Sequence, residues 1–283
     1  MIKRTLSLVV IAGLAAVGFL APRPPEPAEP LAGLIIDTPG LASPTDAGLW
    51  YCAWARSNAS RDSLLSVASM EPASAEFTFP VAIPGADPDS ASVQTVGPGA
   101  ADLMLSDIAQ RGDSPFIVEF DNGPSAAAVT VSGEMMAADA CVSRGPETWY
   151  FPGGSTMPGQ ELTLRVFNPF PETAKVTVGG VSEIGVEALG DFRSWSINAN
   201  SWRDIAFEQE LNSRQDLVVS VSVEEGTPIP AMALRTEGDD AWWPGGGVSE
   251  VWEFPVVGTP GMNGFLIVSN PGITPVTVTI DLY

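Results

Sequence analysis

The 283-residue sequence contains no histidine, only two lysines (Lys3 and Lys175) and only two cysteines. Without histidine, neither a Ser-His-Asp or Cys-His catalytic arrangement nor a histidine-ligated zinc or iron site can be built. Two lysines, one of them in the N-terminal segment, argue against Schiff-base or Ser-Lys chemistry. Positive charge is scarce altogether: thirteen Lys+Arg stand against thirty-four Asp+Glu, a formal net charge of −21. A surface this acidic repels phosphate backbones and anionic headgroups, so nucleic acid is excluded as a partner. The acidity reads as a solubilising surface, with divalent-cation binding as the sharper alternative. No sustained helical period is found in the body of the chain, and no cofactor motif.

What is present begins with Lys3-Arg4 before an apolar run from Leu6 to Ala21, followed by the Pro-rich segment to Pro30. Basic residues ahead of an apolar stretch mark an export signal or signal anchor. As a helix the run would reach ~24 Å, the low end for a bilayer. Phe19 and Pro22 suit cleavage after Ala21 poorly, so an uncleaved anchor over 1–21 is favoured over a removed signal, with 22–30 as a stiff linker. The body is then extracytoplasmic, tethered or secreted, with membrane contact only through this segment. In that compartment Cys52 and Cys141 are expected to form a disulfide closing a first domain over 31–145.

The remaining chain reads as repeated short strands punctuated by 28 Gly and 26 Pro. Aromatic openings align at Trp50-Tyr51, Trp149-Tyr150-Phe151-Pro152-Gly153-Gly154 and Trp242-Trp243-Pro244-Gly245-Gly246-Gly247. Apolar runs ending in Pro72, Pro169 and Pro271 follow them, and two further markers pair Asp102 with Asp204 and Phe116–Phe120 with Val219–Val223. Several ordered markers at one pitch of ~95 residues indicate internal repetition. Val, Ile, Thr and Phe alternate with polar residues at the period of half-buried strands. The expectation is all-β: two tandem immunoglobulin-like β-sandwich domains, 31–145 and 146–283, the second including a partial third repeat packed on it.

The Trp-Tyr-Phe-Pro-Gly-Gly opening, the apolar strand ending in Asn168-Pro169 and the Val176-Thr177-Val178 strand resemble a family of exported actinobacterial proteins of unknown function. The resemblance is closest over 149–178 and 240–283. It departs in the first copy, where Cys52-Ala53-Trp54 and Glu71-Pro72 replace the family residues. It implies a β-rich, envelope-associated protein and carries no catalytic residues over.

Neighbouring residues on a strand point to opposite faces, so paired aromatics cannot share one core. Trp50, Tyr51, Trp149, Tyr150, Trp242, Trp243 and Trp252 are therefore candidates for packing between domains or for stacking sugar rings, the latter best at Trp242, Trp243 and Trp252. The Gly-rich loops lack a phosphate-binding pattern and read as turns. Asp87-Pro88-Asp89 and Glu237-Gly238-Asp239-Asp240 do not match calcium-loop spacing and read as solvated turns. Arg111-Gly112-Asp113 reads as a hairpin turn, and Asn58-Ala59-Ser60 as a glycosylation acceptor only in a host that modifies such sites. No acidic pair stands out for glycoside hydrolysis. The functional expectation is a non-catalytic structural or interaction protein of the cell envelope, its partner a protein or polysaccharide. The alternative is a carbohydrate-binding module using exposed tryptophans.

Overall fold

The computed structural model describes residues 48–58, 61–79, 92–108, 113–132, 137–237, 239–252 and 266–281. The anchor, the Pro-rich linker and Asp87-Pro88-Asp89 lie outside the described residues. Among the described residues, no helix is long and apolar enough to cross a membrane.

The protein is all-β, built from antiparallel sheets. The first half holds β1 (Leu49–Cys52), β2 (Ser57–Asn58), β3 (Arg61–Ser69), β4 (Ala73–Thr78), β5 (Ser92–Val96), β6 (Gly99–Met104), β7 (Phe116–Phe120), β8 (Ser125–Ser132) and β9 (Ala137–Ala140). The second holds β10 (Thr148–Gly154), β11 (Glu161–Asn168), β12 (Ala174–Ser182), β13 (Gly185–Val186), β14 (Trp195–Ile197), β15 (Ser201–Ala206), β16 (Leu217–Glu225), β17 (Ile229–Thr236) and β18 (Asp239–Pro244). Helical turns at Leu105–Ile108 and Phe207–Glu210 occupy matching places in the two halves. The strands form where apolar residues alternate. In β12, Ala174, Val176 and Val178 are buried while Lys175, Thr177 and Gly179 are half-exposed.

The two halves share one pairing order. In the first, β4 pairs β5, β3 pairs β6 and β1 pairs β7, one pair nested inside the next. In the second the nested pairs are β12–β14, β11–β15 and β10–β16. The resulting sheets are β1-β7-β4-β5 and β6-β3-β8-β9, with β2 also on β3, matched by β10-β16-β12-β14 and β15-β11-β17-β18. In each half the two sheets contribute to a shared apolar cluster. Nested pairing of this kind is the jelly-roll form of a sandwich rather than the immunoglobulin form. An immunoglobulin order would place β8 beside β7, whereas β8 pairs β3. Apolar alternation specifies a strand and its inward face but not its neighbour, which is why the sequence pointed to the commoner arrangement.

Register also relocates the third opening. A lone bridge joins Tyr51 to Val142 in the first half and Tyr150 to Gly246 in the second. Gly246 thus stands where Val142 does, and Trp242-Trp243 belong to the edge strand β18 of the second half instead of opening a third copy. The next opening in the sequence is Trp252-Glu253-Phe254-Pro255, 103 positions after Trp149, which agrees with the 102 positions from Asn168 to Asn270. Register likewise aligns Ser66 with Arg165, since these face Asp102 and Asp204 respectively. Ser69 therefore replaces Asn168, and both do the same work. The Ser69 Oγ accepts the Glu71 N–H at 3.3 Å, and the Asn168 Oδ1 accepts the Phe170 N–H at 3.3 Å.

Cys52 and Cys141 form the expected disulfide. Their counterparts in the second half are Phe151 and Gly245, and a Cβ on Gly245 would sit 2.5 Å from the Phe151 ring. An aromatic ring pressed on a glycine fills the corner that the disulfide staples in the first half. Gly245→Ala should therefore destabilise the protein by about 1–3 kcal/mol, because the fully buried Phe151 must shift to admit the methyl group. Equilibrium urea unfolding checks this, and an unchanged midpoint would show that the ring moves freely.

Candidate functional site

The most elaborate side-chain constellation lies where the halves meet. β11 carries Leu162, Leu164 and Val166 into its own core, and the alternating position, Arg165, points the other way. There it is buried to 3% exposure beneath residues of the first half. Its Nε and Nη2 grip the Asp204 carboxylate at 2.9 and 2.8 Å, and its Nη1 donates to Asp113 at 2.9 Å. Asp113 also accepts from Arg56 at 3.0 Å, Arg56 from its other nitrogen reaches Asp240 at 3.1 Å, and Arg235 reaches Asp240 at 3.0 Å. Charges of opposite sign alternate along this chain, and a bidentate guanidinium–carboxylate pair is among the stronger polar contacts. Burial alone would push the Arg165 guanidinium down; the hydrogen bond it donates to Asp204 and the charges of Asp113 and Asp204 outweigh it and hold the group above its ordinary value.

Aromatic rings complete the junction. The Arg165 guanidinium lies 3.9 Å from the Trp54 ring centre and 5.6 Å from that of Trp202, within cation–π range. Trp54 stacks on Trp242 with centroids 6.0 Å apart. Trp242 and Ala231 join the apolar cluster of the first half, while Tyr51 and Val142 join that of the second. The Tyr51 ring meets Phe170 at 5.5 Å. Burial, reinforced by the charge of Glu119, raises the Tyr51 hydroxyl above its usual value.

The candidate aromatics thus fall into distinct environments. Trp50 and Trp149 are buried in their own halves, and the Trp50 Nε1 donates to the Ser125 hydroxyl at 3.1 Å. Tyr51 and Trp242 reach across the junction. Trp243 is half-buried against the second cluster, and Tyr150 is half-exposed with its main chain bonded to Gly246. Trp252 is 44% exposed. Trp242, at 6% exposure, presents no open face for a sugar ring. Asp240 and Asp113, read from sequence as residues of solvated or hairpin turns, are instead members of the ion chain.

Sequence reasoning passed over Trp54, Arg56, Arg165 and Asp204 as a group. One signal was visible. Arg165 interrupts the apolar run Leu162-Thr163-Leu164-Arg165-Val166-Phe167 in a chain with few cations. A charge in the middle of such a run calls for burial with partners.

A surface cleft of about 460 Å³ opens on the second half, lined in part by Thr156, Gln160, Glu161, Glu208, Arg235 and Glu237. Two of its acids are engaged: Glu161 pairs with Arg235 at 3.2 Å, and Glu208 accepts the Leu162 N–H at 3.2 Å. Among the described residues, no group of three or more metal-ligating side chains is assembled. The arrangement offers contact surface and fixed charge pairs. No protein-family model, curated protein or solved structure matches the chain.

Proposed function

We propose that this chain is an exported, non-catalytic protein of the cell envelope, tethered by its N-terminal segment, in which tandem copies of one β-sandwich module form a structural or interaction element. The observation that carries this reading is the junction. Three of the few arginines, with Tyr51, Trp54 and Trp242, are spent on joining one half to the other, which suits a protein whose task is to hold a shape. The disulfide favours an oxidising compartment outside the cytoplasm. The likeness to exported actinobacterial chains with Trp-Tyr-Phe-Pro-Gly-Gly openings points to the same setting.

Fractionation of cells producing the full chain tests the reading. The protein is expected in the envelope fraction and, after removal of residues 1–30, in the cytoplasm with its thiols reduced. Recovery of the full chain in the cytoplasm with free thiols would sink it. The second reading, a carbohydrate-binding module, has the half-exposed ring of Trp252 in its favour. A glycan panel probed with the full chain is expected to show no binding. A hit abolished by Trp252→Ala would turn the assignment to that alternative.

A further inference from the structure

The disulfide is shut in by the half that does not contain it. Cys52 and Cys141 are each 2% exposed, and both sit in one apolar cluster with Ala231 and Trp242 of the second half. The residues beside the sulfurs carry the junction. Tyr51 and Val142 exchange main-chain hydrogen bonds at 2.7 and 3.0 Å and belong to the second cluster. Trp54, two positions after Cys52, stacks on Trp242, and β18 packs against β9, the strand that leads into Cys141. A gap of about 10 Å³ remains there, with Tyr51, Ala53, Ala140 and Val142 on one side and Pro230 and Pro244 on the other. That volume is the lower limit for a single water.

Thiol–disulfide exchange needs more room than this. One cysteine, as its thiolate, attacks a sulfur of a disulfide oxidant and expels the other sulfur as a thiolate, which leaves a mixed disulfide on the protein. The second cysteine thiolate then attacks the protein sulfur of that bond and expels the remaining half of the oxidant. Two cysteine thiols are oxidised, the oxidant is reduced to two thiols, and the protons given up by the cysteines end on them. The intermediate therefore holds a foreign sulfur and its substituent at Cys52 or Cys141. The docked chain leaves no space for either.

We infer that the Cys52–Cys141 bond is made by exchange with a disulfide oxidant before the second half docks, and that docking then locks it against further exchange. Chain order permits this. Ile229, the first residue of β17, follows Cys141 by 88 positions, and synthesis at roughly 5–20 residues per second leaves about 4–18 s between them. In that interval both cysteines are present, while β17 and β18, which close over them, are not. The order holds wherever the chain meets a disulfide oxidant, so it stands apart from the envelope assignment.

Ala231→Arg distinguishes cover by the second half from burial within the first. Ala231 lies opposite Arg165 in the β11–β17 register, on the face turned to the first half, so arginine there obstructs docking and leaves the second core intact. With dithiothreitol in native buffer, the bond in full-length A231R is expected to be reduced at least tenfold faster than in the unaltered chain, free thiols being counted by alkylation and mass. Amide protection in β12 and β16 should persist, which shows that the second half is still folded. If that protection is lost, Arg165→Met replaces it as the milder way to loosen the junction and should also speed reduction. Reduction of the folded variant at the unaltered rate would overturn the inference, because the first half would then seal its own sulfurs. Order of addition supplies the converse. The reduced full chain is refolded with glutathione disulfide present throughout, or supplied only once refolding is complete. Early supply is expected to close the bond at least tenfold faster, and a chain that docks only once oxidised would establish the order directly. Equal rates in a chain that docks while reduced would overturn it.

Discussion

Arg165→Met is expected to lower the unfolding free energy by roughly 2–4 kcal/mol. Methionine keeps the length of the side chain and fills its place beside Trp54, so the loss isolates the guanidinium. Truncating one member of a fully buried ion pair usually costs more, because the abandoned charge stays dry. Here the side chains of Asp113 and Asp204 are 34% and 38% exposed and can recover water, which sets the lower figure. Arg165→Lys should recover only part of the difference. An ammonium cannot make the two-pronged contact with Asp204 while also reaching Asp113 and covering an indole ring. Urea titration checks all three proteins. A double-mutant cycle with Trp54→Ala should return a coupling of about 0.5–3 kcal/mol, since the groups touch. Strict additivity would mean that the ring and the guanidinium are neighbours without interaction.

That junction marks the limit of what could be read beforehand. Strands were legible wherever one face met water, as in β12, because alternation is then written directly in the residue order. The cysteine pairing was legible because only two cysteines exist. Which strands adjoin was not, since the side chains of β3 and β8 would look the same beside other neighbours. The sequence also hid the docking of one half on the other. β11 is buried on both faces, so Arg165 looks like an error in a core strand until Trp54 and Asp113 are laid over it. Trp242-Trp243 misled for a related reason. An aromatic pair before glycines resembles an opening whether it begins one module or ends another, and only the bridge from Tyr150 to Gly246 distinguishes them.

Opening the disulfide should be the second large perturbation, costing roughly 2–5 kcal/mol whether by reductant or as the Cys52→Ala/Cys141→Ala pair. Eighty-nine positions separate the two sulfurs, so the bridge removes much freedom from the unfolded chain. Its position in the fold adds a local effect. Cys52 ends β1 in one sheet and Cys141 directly follows β9 in the other, so the bond pins the sheets together at one corner. Tyr51 and Val142, the residues next to each sulfur, belong to the apolar cluster of the second half. Loosening the corner therefore frees the Tyr51 ring from Phe170 and should carry into the junction. The matching corner in the second half depends on Phe151 over Gly245, which a reductant cannot touch. Amide exchange after reduction should accordingly accelerate in β1, β9 and the 140–147 connection, while β12 and β16 keep their protection. If reduction left the urea midpoint unchanged, the corner would be held by packing alone, as it is in the second half, and the bond would be redundant. If exchange rose equally in both halves, the junction would couple them so tightly that they open as one unit, and the cost measured for Arg165 would then report on the whole molecule.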